Sequence, residues 1–261
     1  LELNQGGGHF VIDSPSSQLT FPGIFPEPSL TFDTLKLNGR WNTGSNAELT
    51  IEELLASNRD TSLQLYGKWL NTGDLGTLEV RGDIHYLDAR SAYRYIPLVA
   101  GGWGTNNWLK GALQGGIARN AKVDVYGPLR EFPFHKSTNP NYIFKIEGDI
   151  ENAKLDYLPS MKKDSKGQWI PGPWPWIDQI HGRITFIGDG MTVRAHTGRA
   201  QGGALLQNVT ASIPSYGAHG VPLVIKGYAQ APLRAMADYV NHSPVSAMIG
   251  HPFQKSTLRG D

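Results

Sequence analysis

Along much of this chain apolar and polar residues alternate with a period of two, the spacing of a strand with one buried face. The clearest case runs from Gly76 to Tyr86, where Leu78, Val80, Gly82, Ile84 and Tyr86 share one parity and Glu79, Arg81, Asp83 and His85 the other. Similar patterns predict strands over 9–12, 18–21, 32–41, 48–55, 63–69, 121–127, 180–187, 191–196, 205–213 and 221–229. Short turns rich in Asn, Gly and Asp separate the early ones, so the sheet is expected to be antiparallel and meandering. The stretch 142–158 changes parity midway, from Phe144, Ile146, Gly148 and Ile150 to Ala153, Leu155 and Tyr157, which a β-bulge near Glu151 and Asn152 reconciles. Pro22, Pro26 and Pro28 break the segment between the first strands and keep it out of any sheet.

Two places interrupt this pattern. After Asp88, an N-cap type, Ala89 to Ile96 predicts a short helix that Pro97 ends, and Gly101 to Gly104 predicts a turn. Thr105 then caps a second helix with Trp108, Leu109, Ala112 and Leu113 along one face, stopped by Gly115 and Gly116. Near the end, Pro232 predicts N1 of a helix carrying Leu233, Met236, Ala237 and Val240, and Ser243-Pro244 opens another reaching Gly250. Gly82 before the first helical pair matches Gly227 before the second, and Tyr95-Ile96 matches Tyr239-Val240. The chain therefore reads as the end of one sheet module (1–88), a helical pair (89–116), a second module (117–230) and a helical divider with a tail (231–261). Stacked modules grow in one dimension and give an elongated molecule.

A glycine stands on the apolar parity, two residues after an apolar one, at Leu37/Gly39, Leu65/Gly67, Val80/Gly82, Val125/Gly127, Ile146/Gly148, Ile180/Gly182 and Ile225/Gly227. Glycine weakens a strand, so the recurrence needs a cause. One is bending and close approach within the sheet. The other is an open lumen in which small residues among Leu, Val and Ile leave a smooth apolar trough.

Composition narrows the function classes. Lys plus Arg at 24 against Asp plus Glu at 23 gives a net charge of +1, which leaves no electrostatic footprint for nucleic acid. Charged residues are only 18 %, and 31 Gly with 17 Pro favour many turns and strands over long helices. There is no cysteine, hence no thiolate ligand or nucleophile. The eight histidines form no ligand spacing, and His85, His181 and His196 read as solvent-face residues. Gly101 to Gly104 lacks the ending of a phosphate loop, no nucleophile elbow exists, and Asp149 with Glu151 reads as an exposed acidic stripe. No enzyme, cofactor or metal is expected. Trp169, Trp174 and Trp176 share a proline-rich loop that could stack on sugar, rest at a membrane interface or plug a sheet end. The opening Leu1 to Asn4 is strand-like with no leader pattern before it, and reads as the start of an excised piece.

An ordered set of short runs carries a resemblance. Tyr93 to Pro97, Asn107 to Leu109, Gly115-Gly116, Val123 to Leu129, Phe132 to Phe134, Ile146 to Asp149, Leu155 to Tyr157, Trp174-Pro175 and Gly182 to Phe186 together resemble the YhdP branch of the AsmA-like proteins, over about 35–250. That family implies a mainly β fold: an elongated, strongly curved antiparallel β-sheet groove, taco-like, with short helices at module boundaries. It implies a periplasmic mid-section of a protein anchored in the inner membrane of Gram-negative bacteria, which carries phospholipids toward the outer membrane. The expected partners are phospholipids, the remaining modules of the same chain and the missing anchor. On this resemblance acyl chains lie against Leu65, Trp69, Leu78, Val80, Gly82 and Ile84 in the first module. In the second they lie against Val123, Val125, Phe144, Ile146, Gly148, Ile150, Ile184, Phe186, Leu223 and Ile225. Trp108, Leu109 and Leu113 cap the groove. A carbohydrate-binding sandwich and a purely structural repeat are the alternatives.

Overall fold

The computed structural model describes residues 2–4, 6–134, 139–160, 162, 164–166, 170, 172–215, 223–251 and 253, without the side chains of 2–4 and 99–103. Twelve strands form one sheet: β1 (Glu2–Asn4), β2 (Gly7–Ser14), β5 (Thr34–Asn42), β6 (Glu48–Ser57), β7 (Thr61–Leu70), β8 (Thr77–Asp88), β9 (Leu113–Pro128), β10 (Ile143–Leu155), β11 (Ile177–Ile187), β12 (Gly190–Ala200), β13 (Leu205–Ile213) and β14 (Val224–Gln230), in that spatial order. Every neighbouring pair is antiparallel, and β1 and β14 are edges that do not meet, so the sheet is an open, curved groove and not a barrel. The meander departs from nearest-neighbour order only where β3 (Ser17–Thr20) and β4 (Ser29–Phe32) leave to form a separate hairpin.

That hairpin corrects the single strand expected over 32–41. Asp33 breaks it, and Phe32 and Leu30 turn back onto the sheet. Leu30, Phe32, Leu35 and Ala56 are the densest buried cluster, with Phe21, Phe25, Leu54, Leu63 and Tyr95 around them. The proline-broken loop is fastened by ions: Glu27 accepts from Tyr93 Oη at 2.5 Å and from Arg94 Nε at 2.8 Å, and Arg94 also pairs with the buried Asp60.

The first helical pair also differs from expectation. Ala89–Tyr95 is a 3-10 helix whose N-cap Asp88 accepts from Arg90 N, as the sequence implied. After Pro97 a single helix, α1 (Leu98–Ala112), runs straight through Gly101 to Gly104 and past Thr105, so neither the turn nor that cap exists. The sequence rule failed because tertiary packing holds this helix despite its glycines: Ala112 is 0 % and Asn106 1 % exposed. The helix ends before Gly115 and Gly116, which lie inside β9, and Leu113 is the first residue of that strand, opposite Leu155. At the far end α2 (Leu233–Asn241) takes Pro232 as N-cap instead of N1, and α3 (Pro244–Met248) has Ser243 as N-cap, as expected. Strand β14 begins at Val224, and Val221 lies outside the described residues.

The bulge foreseen at Glu151 and Asn152 is present, with Asn152 at φ +50° and a register shift on both sides of β10. It is one of a series. Asn120, Gln179 and Asn208 have φ of 50° to 52° at shifts in β9, β11 and β13. Each bulge adds a residue to its own strand and, by interrupting the ladder there, makes the sheet coil more strongly.

Candidate functional site

Register assembles the alternating strands into two unlike faces. One row of facing residues runs Ile12, Leu37, Leu54, Leu65, Gly82, Val123, Ile146, Phe186, Met191 and Ile213, from β2 to β13 without a polar side chain. Parallel to it, Phe10, Gly39, Ile51, Gly67, Val80, Val125 and Phe144 form a second row, and Trp41, Leu49, Trp69, Leu78 and Gly127 a third. On the other side of the first row, Leu35, Ala56, Leu63, Ile84 and Ala121 are followed by Gly148, Ile184, Val193, Ala211 and Ile225.

The opposite face carries the charges, and they are paired along and across the strands. Lys68 Nζ lies 2.9 Å from Glu48, Arg40 2.5 Å from Glu52, Arg183 3.0 Å from Asp149, and Arg119 2.9 Å from Glu151, while Lys122 pairs with Asp83. The hydrogen bond from Lys68 holds the Glu48 carboxyl below its usual range. His85, His181 and His196 are exposed, as expected of solvent-face residues.

Of the residues assigned to the trough, Leu65, Gly82, Val123, Ile146 and Phe186 fall in the first row, Val80, Val125 and Phe144 in the second, and Trp69 and Leu78 face each other in the third. Ile84, Gly148, Ile184 and Ile225 share the fourth, and Ile150 lies beyond it opposite Ala118 and Gly182. Leu223 stands outside the sheet, just before β14, and is 41 % exposed. The side chains of the first row are all half-buried except Ile12, which is exposed, and at its β6 position Leu54 packs against the cluster of Leu30, Phe32, Leu35 and Ala56. An apolar face this long, left half-open, differs from the filled core of a sandwich, in which both inner faces interdigitate.

Covering elements gather at the strand ends instead. At one end the β3–β4 hairpin, α1 and α2 meet the sheet. Trp108 of α1 donates to Tyr157 O at 3.2 Å, Tyr157 Oη bonds Tyr239 Oη of α2 at 2.9 Å, and Trp174 packs on the Tyr157 ring at 5.8 Å. Burial and this bond push the Tyr157 phenol well above its usual pKa. Trp174 is half-buried against that ring, and Trp176 lies under Lys154 Nζ at 4.3 Å, while Trp169 is outside the described residues. Leu109 shares α1 with Trp108, but Leu113 belongs to the sheet.

The recurring glycines answer the question put to them largely in favour of close approach. At Gly82, φ is +150° and a Cβ would overlap Gln64 O and crowd Leu65 Cα on the adjacent strand. Gly67 is different, since a Cβ there meets only ordinary contacts, the nearest Glu79 O at 3.5 Å.

Sequence reasoning placed Leu37 with Gly39 on the apolar parity but named neither it nor Ile12 and Leu54 as a lipid contact; a register shift between Ile51 and Leu54 hides the match in β6. It also missed Phe132 and Phe134, whose rings lie on this face beside Phe144 and Gly127. A cavity of about 530 Å³ lies on the polar face among Tyr86, Asp88, Arg90, Glu151 and His181. Its charges are already matched, Asp88 with Arg90 and Glu151 with Arg119. Among the described residues no group of three side chains could hold a metal, and no helix is long and apolar enough to cross a membrane.

A family model described as YhdP protein matches residues 1–261, so the chain belongs to the YhdP family. It is 28 % identical over 174 residues to the intermembrane phospholipid transporter YhdP of Escherichia coli (strain K12), an alignment that covers 67 % of this chain and 12 % of that protein. The chain therefore spans a small part of the relative's length. No solved structure matches it.

Proposed function

We propose that this segment of a YhdP-family protein lines part of a phospholipid path between two membranes, with acyl chains lying along its apolar face. The observation that carries the reading is the half-open row from Ile12 to Ile213, ten strands wide and free of polar side chains. A charged head group finds no partner on that row, so it stays at the mouth of the groove in water while the chains lie inside. A relative of the same family is an intermembrane phospholipid transporter, which supports the same ligand class here.

The finer picture belongs to this proposal as well. The path crosses the periplasm from inner to outer membrane, an anchor elsewhere in the protein holds it, and further modules of the same chain extend the groove. Segments 1–88 and 117–230 are two such modules, with 89–116 and 231–261 as helical dividers. Leu65, Val80, Val123, Ile146, Phe186 and their row neighbours contact lipid, and Trp108 and Leu109 close one rim. No catalysis or cofactor is invoked.

The test is extraction of the purified protein followed by mass spectrometry. Co-purified phospholipid supports the reading. Bound glycan would support a carbohydrate module, and nothing bound, together with no labelling by a photoreactive phospholipid, would refute the lipid path.

A further inference from the structure

At the end of the sheet that carries the turns 43–47, 71–76 and 188–189, the longest connection is residues 129–142 between β9 and β10. It begins by fastening to its neighbour. Leu129 N donates to Gly76 O at 2.9 Å, and Arg130 pairs with Asp74 at 2.7 Å. Phe134 then takes a φ of +68°, a conformation costly for a bulky aromatic residue and kept only where the surroundings enforce it. What it gains is burial: Phe134 is 7 % exposed, and its ring is so close over Gly127 that a Cβ there would stand 2.6 Å away. Phe132 meets Phe144 edge to face at 5.0 Å and Phe134 at 5.5 Å. Gly127 and Phe144 belong to the two rows nearest this rim, so on β9 and β10 those rows are roofed, and Val125 is 6 % exposed. On the other side Ala121 and Gly148 are buried against each other. Between these two covered zones the accessible strip narrows to Val123 and Ile146, which face each other and stay half-buried.

We infer that Phe132 and Phe134 form a waist in the apolar face at Val123 and Ile146, one that admits a flexible linear acyl chain and excludes a rigid fused-ring body. The inference rests on the lipid-path reading and adds a selectivity to it. A linear chain is about 5 Å across and adapts to a narrow strip by rotating about single bonds, whereas a fused-ring skeleton cannot thin itself, so the difference is one of shape and not of hydrophobicity.

The experiment presents the full chain with either a diazirine-bearing phospholipid or a diazirine-bearing sterol in mixed micelles, and maps the labelled residues by mass spectrometry. The phospholipid probe is expected to label Val123 and Ile146 as well as the flanking Leu65 to Leu78 and Ile184 to Met191. The sterol probe is expected to label the flanks and to lose labelling at the waist. In Phe132→Ala, a half-buried position whose truncation spares the packed Phe134, sterol labelling at Val123 should appear while flank labelling is unchanged, which also reports that the protein is folded. Equal sterol labelling at waist and flanks in the wild type overturns the inference, as does persistent exclusion in Phe132→Ala. Phospholipid labelling confined to other surfaces, or absent, would instead overturn the trough reading and this inference with it.

Discussion

Substituting leucine at Gly67 and at Gly82 separates the path from the sheet that forms it. Both glycines belong to the apolar face, on adjacent strands, yet their surroundings differ. At Gly67 a Cβ meets Glu79 O at 3.5 Å, Val80 Cγ2 at 3.8 Å and Ile51 Cβ at 3.9 Å, all ordinary contacts, with no left-handed backbone. Removing a strand glycine there recovers roughly 0.5–1 kcal/mol of lost backbone entropy. The added methylenes, half-buried on the face, contribute about 0.4 kcal/mol each. Ordering the leucine side chain takes back about 0.5–1 kcal/mol, so Gly67→Leu should raise stability by about 1–2 kcal/mol, a shift of roughly 2–8 °C in Tm for a chain of this size. At Gly82 the φ of +150° costs a leucine about 1–3 kcal/mol. The overlap with Gln64 O and the crowding of Leu65 displace a strand for about 1–3 kcal/mol more, so the melt should fall by roughly 4–20 °C. The informative variant is thus Gly67→Leu: a sound sheet with a new side chain standing in the groove. Labelling by a photoreactive phospholipid should drop at Val80 and Ile51 while the melt improves. Equal destabilisation of both variants would refute the account of strand approach, and unchanged labelling in a well-folded Gly67→Leu would remove this row from the path.

Ile146→Asp places a carboxylate among Val123 and Phe186 and should cost about 1–3 kcal/mol and abolish local phospholipid labelling, whereas Glu147→Gln on the opposite face should leave both nearly unchanged; calorimetry and cross-linking compare them. Arg94→Met removes one of the two cations beside the buried Asp60, which keeps Arg59, and the one beside Glu27, and should cost about 1–3 kcal/mol, with hydrogen exchange rising first in 21–32. Burial, with help from the bond to Glu27, pushes the Tyr93 phenol up from 10.0 to about 12. Because the folded pKa lies above the unfolded one, the stabilisation is complete below pH 10 and is lost as pH rises toward about 12. A pH series of melts should show that loss, and Tyr93→Phe should make it shallower, the remainder coming from Tyr95 and Tyr157, whose phenols are raised as well.

Most of the sheet was legible because its signal is local. Alternation in 77–88 or 177–187 states which side chains share a face, and the Asn-Gly turns state that neighbours are antiparallel. What escaped depended on partners distant in sequence. Gly101 to Gly104 read as a turn because helix propensity is a property of the segment, while α1 is held by burial of Ala112 and Asn106 against residues that no local rule names. Leu30 and Phe32 continued the pattern of 34–41, yet they fold back because Leu35 and Ala56 need covering. The parity change in 142–158 gave away one bulge, but only the full register reveals that β9, β11 and β13 bulge as well. The site followed the same division: the rows were readable as strand faces, and the waist was not, since Phe132 and Phe134 reach the face from a connection with no period at all.

The two faces together explain how one sheet layer can stand with so much apolar surface half-open. On the charged face, pairs such as Lys68 with Glu48 and Arg183 with Asp149 are exposed, and each contributes at most about 1 kcal/mol. Their value lies in register, because a one-residue slip would break these pairs, set charged residues opposite apolar ones and turn Leu65 and Ile146 to water. Bulges and closely approaching strands curve the apolar face inward, so that its side chains shelter one another without a second sheet. The surface still exposed is what an acyl chain would cover, at roughly 0.8 kcal/mol per buried methylene, close to what the chain leaves behind in a bilayer. On the proposed lipid path no polar group of the first row would hold a head group, so outside the waist at Val123 and Ile146 successive positions would be nearly equivalent in energy and would offer a moving lipid no deep trap.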